Sequence, residues 1–256
     1  MPRAHRHFLP DRVWHITHRC HEREFLLQYL RDRKRWLYWL FESRKRFGLC
    51  VLNYVATSNH VHLLVHDRGH GEITRSMQLA AGCTAQEYNR RKGRAGAFWE
   101  DRYHATAVDT DDHLARCMVY IDLNMVRAGA VKHPQQWPIS GYREIQQAPQ
   151  RYRIINVPAV TSLLGFSSHA ELKSAHAEWV SQALSDGDGA CREGMWSESL
   201  AVGGRAFVQR VKNELGISAL HRKVRDDGKT YGLKESAAAY EVQWNPDMAP
   251  LSTSRR

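Results

Sequence analysis

Two apolar, β-branched runs, Leu49 to Ala56 and His60 to His66, are separated only by the polar turn Thr57-Ser58-Asn59. So short a connection makes the two strands pair antiparallel, as a hairpin. Side chains alternate along a strand, so His60 and His62 share one face and aim two imidazoles at one point, as a divalent metal needs. Taken alone, such a pair is more often just two packed or surface histidines. His66 has the same parity and admits an all-histidine zinc site. It stands four residues past His62, however, about 13 Å along a strand.

The hairpin sits inside a mixed order of elements. Val13 to His18 alternates like a strand, and Tyr29 to Phe47 has helical spacing, with Leu30, Trp36, Leu37, Leu40 and Phe41 on one side and Gly48 as its stop. A second helix fits Glu72 to Arg91, ending near Gly93, and Tyr103 to Val108 reads as a strand. Asp109-Thr110-Asp111-Asp112 offers caps and negative charge to a helix running to about Arg127, closed by Gly129. The order β-α-β-β-α-β-α predicts an α+β fold: a ferredoxin-like antiparallel sheet with helices on one face.

Beyond Tyr142-Arg143 the pattern weakens. Residues 145–160, with Pro149 and Pro158, read as loop; Leu163 to Leu184 and Arg205 to Leu215 read as helices around the turn Ser185-Asp186-Gly187-Asp188-Gly189. The resulting division is a first domain over 1–145, a mainly helical extension over 146–220, and a basic, partly disordered tail over 221–256.

The formal charge of +10 suits a partner that is a polyanion. The excess is uneven, with twelve Lys/Arg against five Asp/Glu in residues 1–48. Five scattered cysteines (Cys20, Cys50, Cys83, Cys117, Cys191) form no C-x-x-C pair, which argues for reduced thiols and against a cysteine zinc site. With no apolar leader and no run of spanning length, the chain is expected to be soluble and cytoplasmic, with no membrane partner.

A second constellation answers the histidine pair. In Tyr120-Ile121-Asp122-Leu123-Asn124, a phenol and an amide four residues apart share one helix face, while Asp122 points away and reads as solvated. Each alone has a plainer reading, Tyr120 as a packed aromatic and Asn124 as a helix-end residue. Together, a metal pair and a tyrosine suggest phosphodiester chemistry through a protein-bound intermediate.

These residues and their context resemble the REP-associated tyrosine transposases, in the single-tyrosine HUH superfamily that includes the IS200/IS605 transposases. The resemblance runs through Trp14-His15-Ile16-Thr17, Ser58-Asn59-His60-Val61-His62-Leu63-Leu64-Val65, and Phe98-Trp99-Glu100-Asp101-Arg102-Tyr103. It continues through Tyr120 to Gly129 and Trp137-Pro138-Ile139-Ser140-Gly141-Tyr142-Arg143, and is looser at Gly203 to Val208. Met125 departs from the proline common after the asparagine, which only restores a backbone N–H.

The resemblance implies His60, His62 and Asn124 as ligands of Mg²⁺ or Mn²⁺, and Tyr120 as the nucleophile. Imidazole ligands suit Mn²⁺ better than Mg²⁺. It implies a metal-dependent single-stranded DNA endonuclease and strand transferase acting at REP-type hairpins through a 5′-phosphotyrosine. The alternative is a domesticated hairpin-binding protein that no longer cuts. Arg3, Arg6, Arg12, Arg19 and Arg23 are candidates for phosphate contacts around the first strand. Arg90, Arg91, Lys92 and Arg94 beside Phe98 and Trp99 would suit unpaired, stacked bases, or form a solvated helix end. Arg102 and Arg127 complete the DNA-binding set. Relatives that share the tyrosine in trans are dimers; an extension covering that surface would leave a monomer.

Overall fold

In the computed structural model, the described residues are 9–110, 112–187, 193–219, 221–226, 228 and 230–235. Their elements run β1 (Val13–Arg19), α1 (Leu30–Phe47), β2 (Cys50–Ala56), β3 (His60–His66), α2 (Glu72–Lys92), β4 (His104–Val108), α3 (Asp112–Asp122) and α4 (Asn124–Arg127). There follow α5 (Gly141–Gln146), α6 (Val157–Leu163), α7 (His169–Ser185), α8 (Met195–Glu198), β5 (Ala201–Gly203), α9 (Arg205–Leu215), β6 (Arg222–Asp226) and β7 (Tyr231–Glu235).

The first four strands stand in the order β2-β3-β1-β4, all antiparallel to their neighbours, which is the ferredoxin-like arrangement. The register fixes which residues share a face. Thr17 lies opposite His62 and His104, His15 opposite Leu64 and Thr106, and Arg19 opposite His60. These residues, with Asn53 and Val55 of β2, form one face.

The other face carries Trp14, Ile16, Tyr54, Val61, Leu63 and Val65, all buried. Against it packs the α1–α2 pair, with the Trp36 ring 6.4 Å from Tyr54 and Trp99 Nε1 donating to the Ala81 carbonyl on α2. Gly48 and Gly93 end the two helices at φ of 73° and 57°, a left-handed turn that an L side chain resists. Helix α3 lies on the first face, tied there by Asn53 Nδ2, which donates to Met118 O and Asp122 Oδ1.

The C-terminal extension is not purely helical. It lengthens the sheet, which continues β4-β5-β7-β6, with β5 parallel to β4. Arg222–Asp226 and Tyr231–Glu235, expected within a basic, partly disordered tail, form the antiparallel pair β6–β7; residues 227, 229 and 236–256 of that tail lie outside the described residues. Inside 145–160, Pro158 stands at the second position of α6 rather than breaking it, because the N–H groups of a helix's first turn have no partner within the helix. No described helix is long and apolar enough to cross a membrane.

Candidate active site

A cavity of about 320 Å³ opens on the first face of the sheet. His60, His62, Tyr120 and Asn124 line it together with Asn59, Arg19, Arg23 and Arg127. Strand alternation delivers the two histidines, and one helical turn brings Asn124 below Tyr120. The helix is interrupted between them: α3 ends at Asp122, Leu123 sits at ψ 1°, and α4 begins at Asn124.

Each ring is held by its neighbours. His60 Nδ1 is 3.0 Å from Thr57 Oγ1 and 2.7 Å from Asn59 Oδ1, which turns its Nε2 edge away from the turn. His62 Nε2 is 3.0 Å from the Asn124 side-chain amide, and its Nδ1 is 2.8 Å from His15 Nε2 and 3.3 Å from Thr17 Oγ1. His15 Nδ1 in turn meets the Trp196 carbonyl at 2.8 Å. Burial disfavours the charged ring in both cases: His62 is pushed well below the usual histidine range, and His15 down to about 4. Both rings therefore stay neutral at physiological pH, as metal ligation requires.

The Tyr120 ring stands at 90° to His62, with centroids 6.0 Å apart, and is 6 % exposed. The Arg127 guanidinium lies 4.2 Å from the Tyr120 ring centroid and donates to its main-chain carbonyl. Two imidazoles whose Nδ1 atoms are engaged, plus one side-chain amide, are a donor set that could hold a divalent cation, with His62 Nε2 meeting the Asn124 amide nitrogen in the metal-free protein. The all-histidine alternative does not form: His66 pairs with Asp11 at 3.1 Å, at the other end of β3. Among the described residues, no group of three or more His, Cys, Asp or Glu side chains could hold a metal.

The other candidate residues divide. Arg19 and Arg23 reach this cavity, and with Arg102 they also line an adjoining one of about 400 Å³ beside His18 and His104. Arg12 lies at the opposite end of β1, paired with Glu214 at 2.8 Å. Arg91 pairs with Asp32, Arg94 with Glu24 at 3.1 Å, and Lys92 Nζ sits 5.4 Å from the Tyr29 ring centroid, while Arg90 is exposed at the end of α2. Phe98 is corrected outright. It is 2 % exposed, packed on Tyr88 and Trp99, and presents no ring face to a base. Trp99 is half-buried and stacks on His18 at 4.2 Å. Arg3 and Arg6 lie outside the described residues.

Asp122 is also corrected: it is not solvated but 1 % exposed, held between Asn53 and His176 of α7. Two further participants, His15 and Trp196, escaped sequence reasoning. His15 shares the parity of Thr17 on β1, but the order of strands across the sheet, which decides its contact with His62, has no local signature.

Residues 11–124 match the family model described as Transposase IS200 like. A solved REP-associated tyrosine transposase bound to a REP hairpin aligns at 16 % identity and a TM-score of 0.45, over 61 % of this chain and 94 % of that one. A putative transposase from Deinococcus radiodurans R1 aligns at 14 % identity and a TM-score of 0.33, over 44 % of this chain and 90 % of that one. No curated protein matches the chain.

Proposed function

We propose that this chain is a REP-associated tyrosine transposase, a metal-dependent nuclease and strand transferase for single-stranded DNA that carries REP-type hairpins. The observation that carries the reading is the convergence of Tyr120, His60, His62 and Asn124 in one basic cavity. The hairpin partner rests on the sequence resemblance through Tyr120 to Arg143.

His60, His62 and Asn124 would hold Mg²⁺ or Mn²⁺, which when bound polarises the scissile phosphate and stabilises charge on the leaving oxygen. The Tyr120 hydroxyl loses its proton and its oxygen bonds to phosphorus. The bond from phosphorus to the 3′ oxygen breaks, and that oxygen takes up a proton. The products are a 5′-phosphotyrosine and a free 3′-OH, so the energy of the phosphodiester is kept. Attack by the 3′-OH of another strand reverses the step and joins DNA without water or ATP. Arg127 places positive charge over the face of the Tyr120 ring and, through the Tyr120 carbonyl, fixes the main chain of the nucleophile. Arg19 and Arg23 neutralise strand phosphates at the rim. Tyr120 lies in the same cavity as His60 and His62 of its own chain, which supports a tyrosine acting in cis.

Incubation with a single-stranded REP hairpin and Mn²⁺ or Mg²⁺ tests the reading, with wild type compared to Tyr120→Phe. A metal-dependent cut with a covalent 5′ adduct, absent in the variant, is expected. Equal cutting by Tyr120→Phe would transfer the chemistry to a metal-activated water. Tight hairpin binding without cutting by either protein would favour a domesticated binding protein.

A further inference from the structure

The hydrogen-bond chain that ends on Trp196 has a direction. A carbonyl oxygen only accepts, so His15 Nδ1, 2.8 Å from the Trp196 carbonyl, carries a proton. His15 is fully buried, and its partners are a carbonyl and an imidazole, with no carboxylate to balance a charged ring. A neutral imidazole protonated at Nδ1 accepts at Nε2. His62 Nδ1, 2.8 Å away, therefore donates. That leaves the His62 lone pair on Nε2, the atom facing Asn124 at 3.0 Å, where the amide N–H donates to it in the metal-free protein.

We propose that His15 is a positioning residue for the metal site: it fixes His62 in the Nδ1-protonated tautomer, so that Nε2 is the ligand atom, and the C-terminal extension orients His15 through the Trp196 main-chain carbonyl. The inference rests on the reading of His62 as a metal ligand. A ligand imidazole donating its other N–H to an acceptor is held in orientation and made more basic, and loss of such an acceptor typically weakens metal binding about 10- to 100-fold. The anchoring carbonyl lies 181 residues from His15 in sequence, on α8, which packs across β1 and β4. Trp196 is buried and its ring lies 6.2 Å from Tyr120, so one residue of the extension packs beside the nucleophile through its side chain and reaches the ligand His62 through its backbone carbonyl and His15. The extension is thereby part of the metal site without contributing a ligand.

Two measurements on the full chain test this. In ¹⁵N-histidine spectra of the metal-free wild type, both His15 and His62 are expected to carry their proton on Nδ1; a proton on His62 Nε2 overturns the inference, whatever any variant does. In Mn²⁺ titrations followed by electron paramagnetic resonance, His15→Leu is expected to bind about 10- to 100-fold more weakly than wild type. His15→Gln, whose amide supplies an acceptor, is expected to recover part of that loss. Undiminished Mn²⁺ binding by folded His15→Leu overturns the positioning role and leaves the metal site standing. If the wild type binds no Mn²⁺, or His60→Ala binds it as well as wild type, the metal-site reading itself falls and takes this inference with it. Should His15→Leu not fold, the wild-type spectrum alone decides between the two tautomers.

Discussion

His176 Nε2 lies 2.7 Å from Asp122 Oδ2, and neither side chain is exposed. The pair bolts α7 of the extension to α3, the helix that carries Tyr120. Asp122 is two residues beyond the nucleophile, on the opposite side of the helix, and its second oxygen accepts from Asn53 on β2. The helix is therefore gripped from the sheet and from the extension at one carboxylate.

Removing one partner of this pair leaves a buried polar group unsatisfied, which costs about 1–3 kcal/mol or more. His176→Leu is expected to lower the urea midpoint accordingly. Asp122→Leu should do the same, and the double variant should lose less than the sum of the two. Additive losses in that cycle would show that the contact carries no coupling.

Gly141 sits against the same network. A Cβ there would overlap Asn53 Oδ1, and would stand 3.0 Å from both Ile155 Cδ1 and the Tyr54 amide nitrogen. Gly141→Ala is expected to push Asn53 off Met118 and Asp122 and to cost about 1–3 kcal/mol in thermal or urea unfolding. A variant as stable as wild type would mean that Asn53 is not held by this contact.

The basic rim and the neighbouring aromatic should behave differently. Arg19→Ala and Arg23→Ala are each expected to weaken single-strand binding and to reduce its salt slope by about 0.7, with the fold intact. Phe98→Ala is expected to destabilise by about 3–5 kcal/mol instead, because it empties a core site. Normal stability with a selective loss of DNA binding in Phe98→Ala would restore it as a base-stacking residue.

Acid should weaken the metal-free protein through the central histidines. Burial lowers His15 from 6.5 to about 4 and drives His62 down as well. Between those two values the unfolded chain binds the His15 proton and the folded chain does not, so stability is fully present above 6.5 and is lost as pH falls toward 4. Each buried histidine adds a slope on the order of 1 kcal/mol per pH unit inside its window. Urea midpoints measured across that window check this, together with the ring-proton shifts of His15, which should hold their neutral positions down to its lower part. Early movement of those shifts would contradict it.

Much of the molecule follows from short-range pattern. The β2–β3 hairpin, α1 and α2 with their glycine stops, and the shared face of His60 and His62 lie where alternation and helical spacing put them. Local pattern failed where the environment of a residue is set by distant chain. Asp122 reads as solvated and Phe98 as a ring open to stacked bases, yet His176, 54 residues on from Asp122, and the packing of Tyr88 and Trp99 bury them. The short strands β5, β6 and β7 have too few residues for period-two alternation to stand out, and they exist because β4 offered an edge to extend.

The sequence by itself therefore determined the alternating elements, the pairing of the two histidines on one strand face, and the spacing of Tyr120 from Asn124. Those features depend only on the rise and period of a strand or helix, which a few adjacent residues specify. Only the tertiary structure decided which polar groups meet when water is excluded: His15 against His62, the Trp196 carbonyl against His15, and His176 against Asp122. Each of these contacts joins residues far apart along the chain, and a buried donor takes whatever acceptor the packing brings within reach. No periodicity records that choice, because it is made by the order of strands in the sheet and by where the extension crosses it.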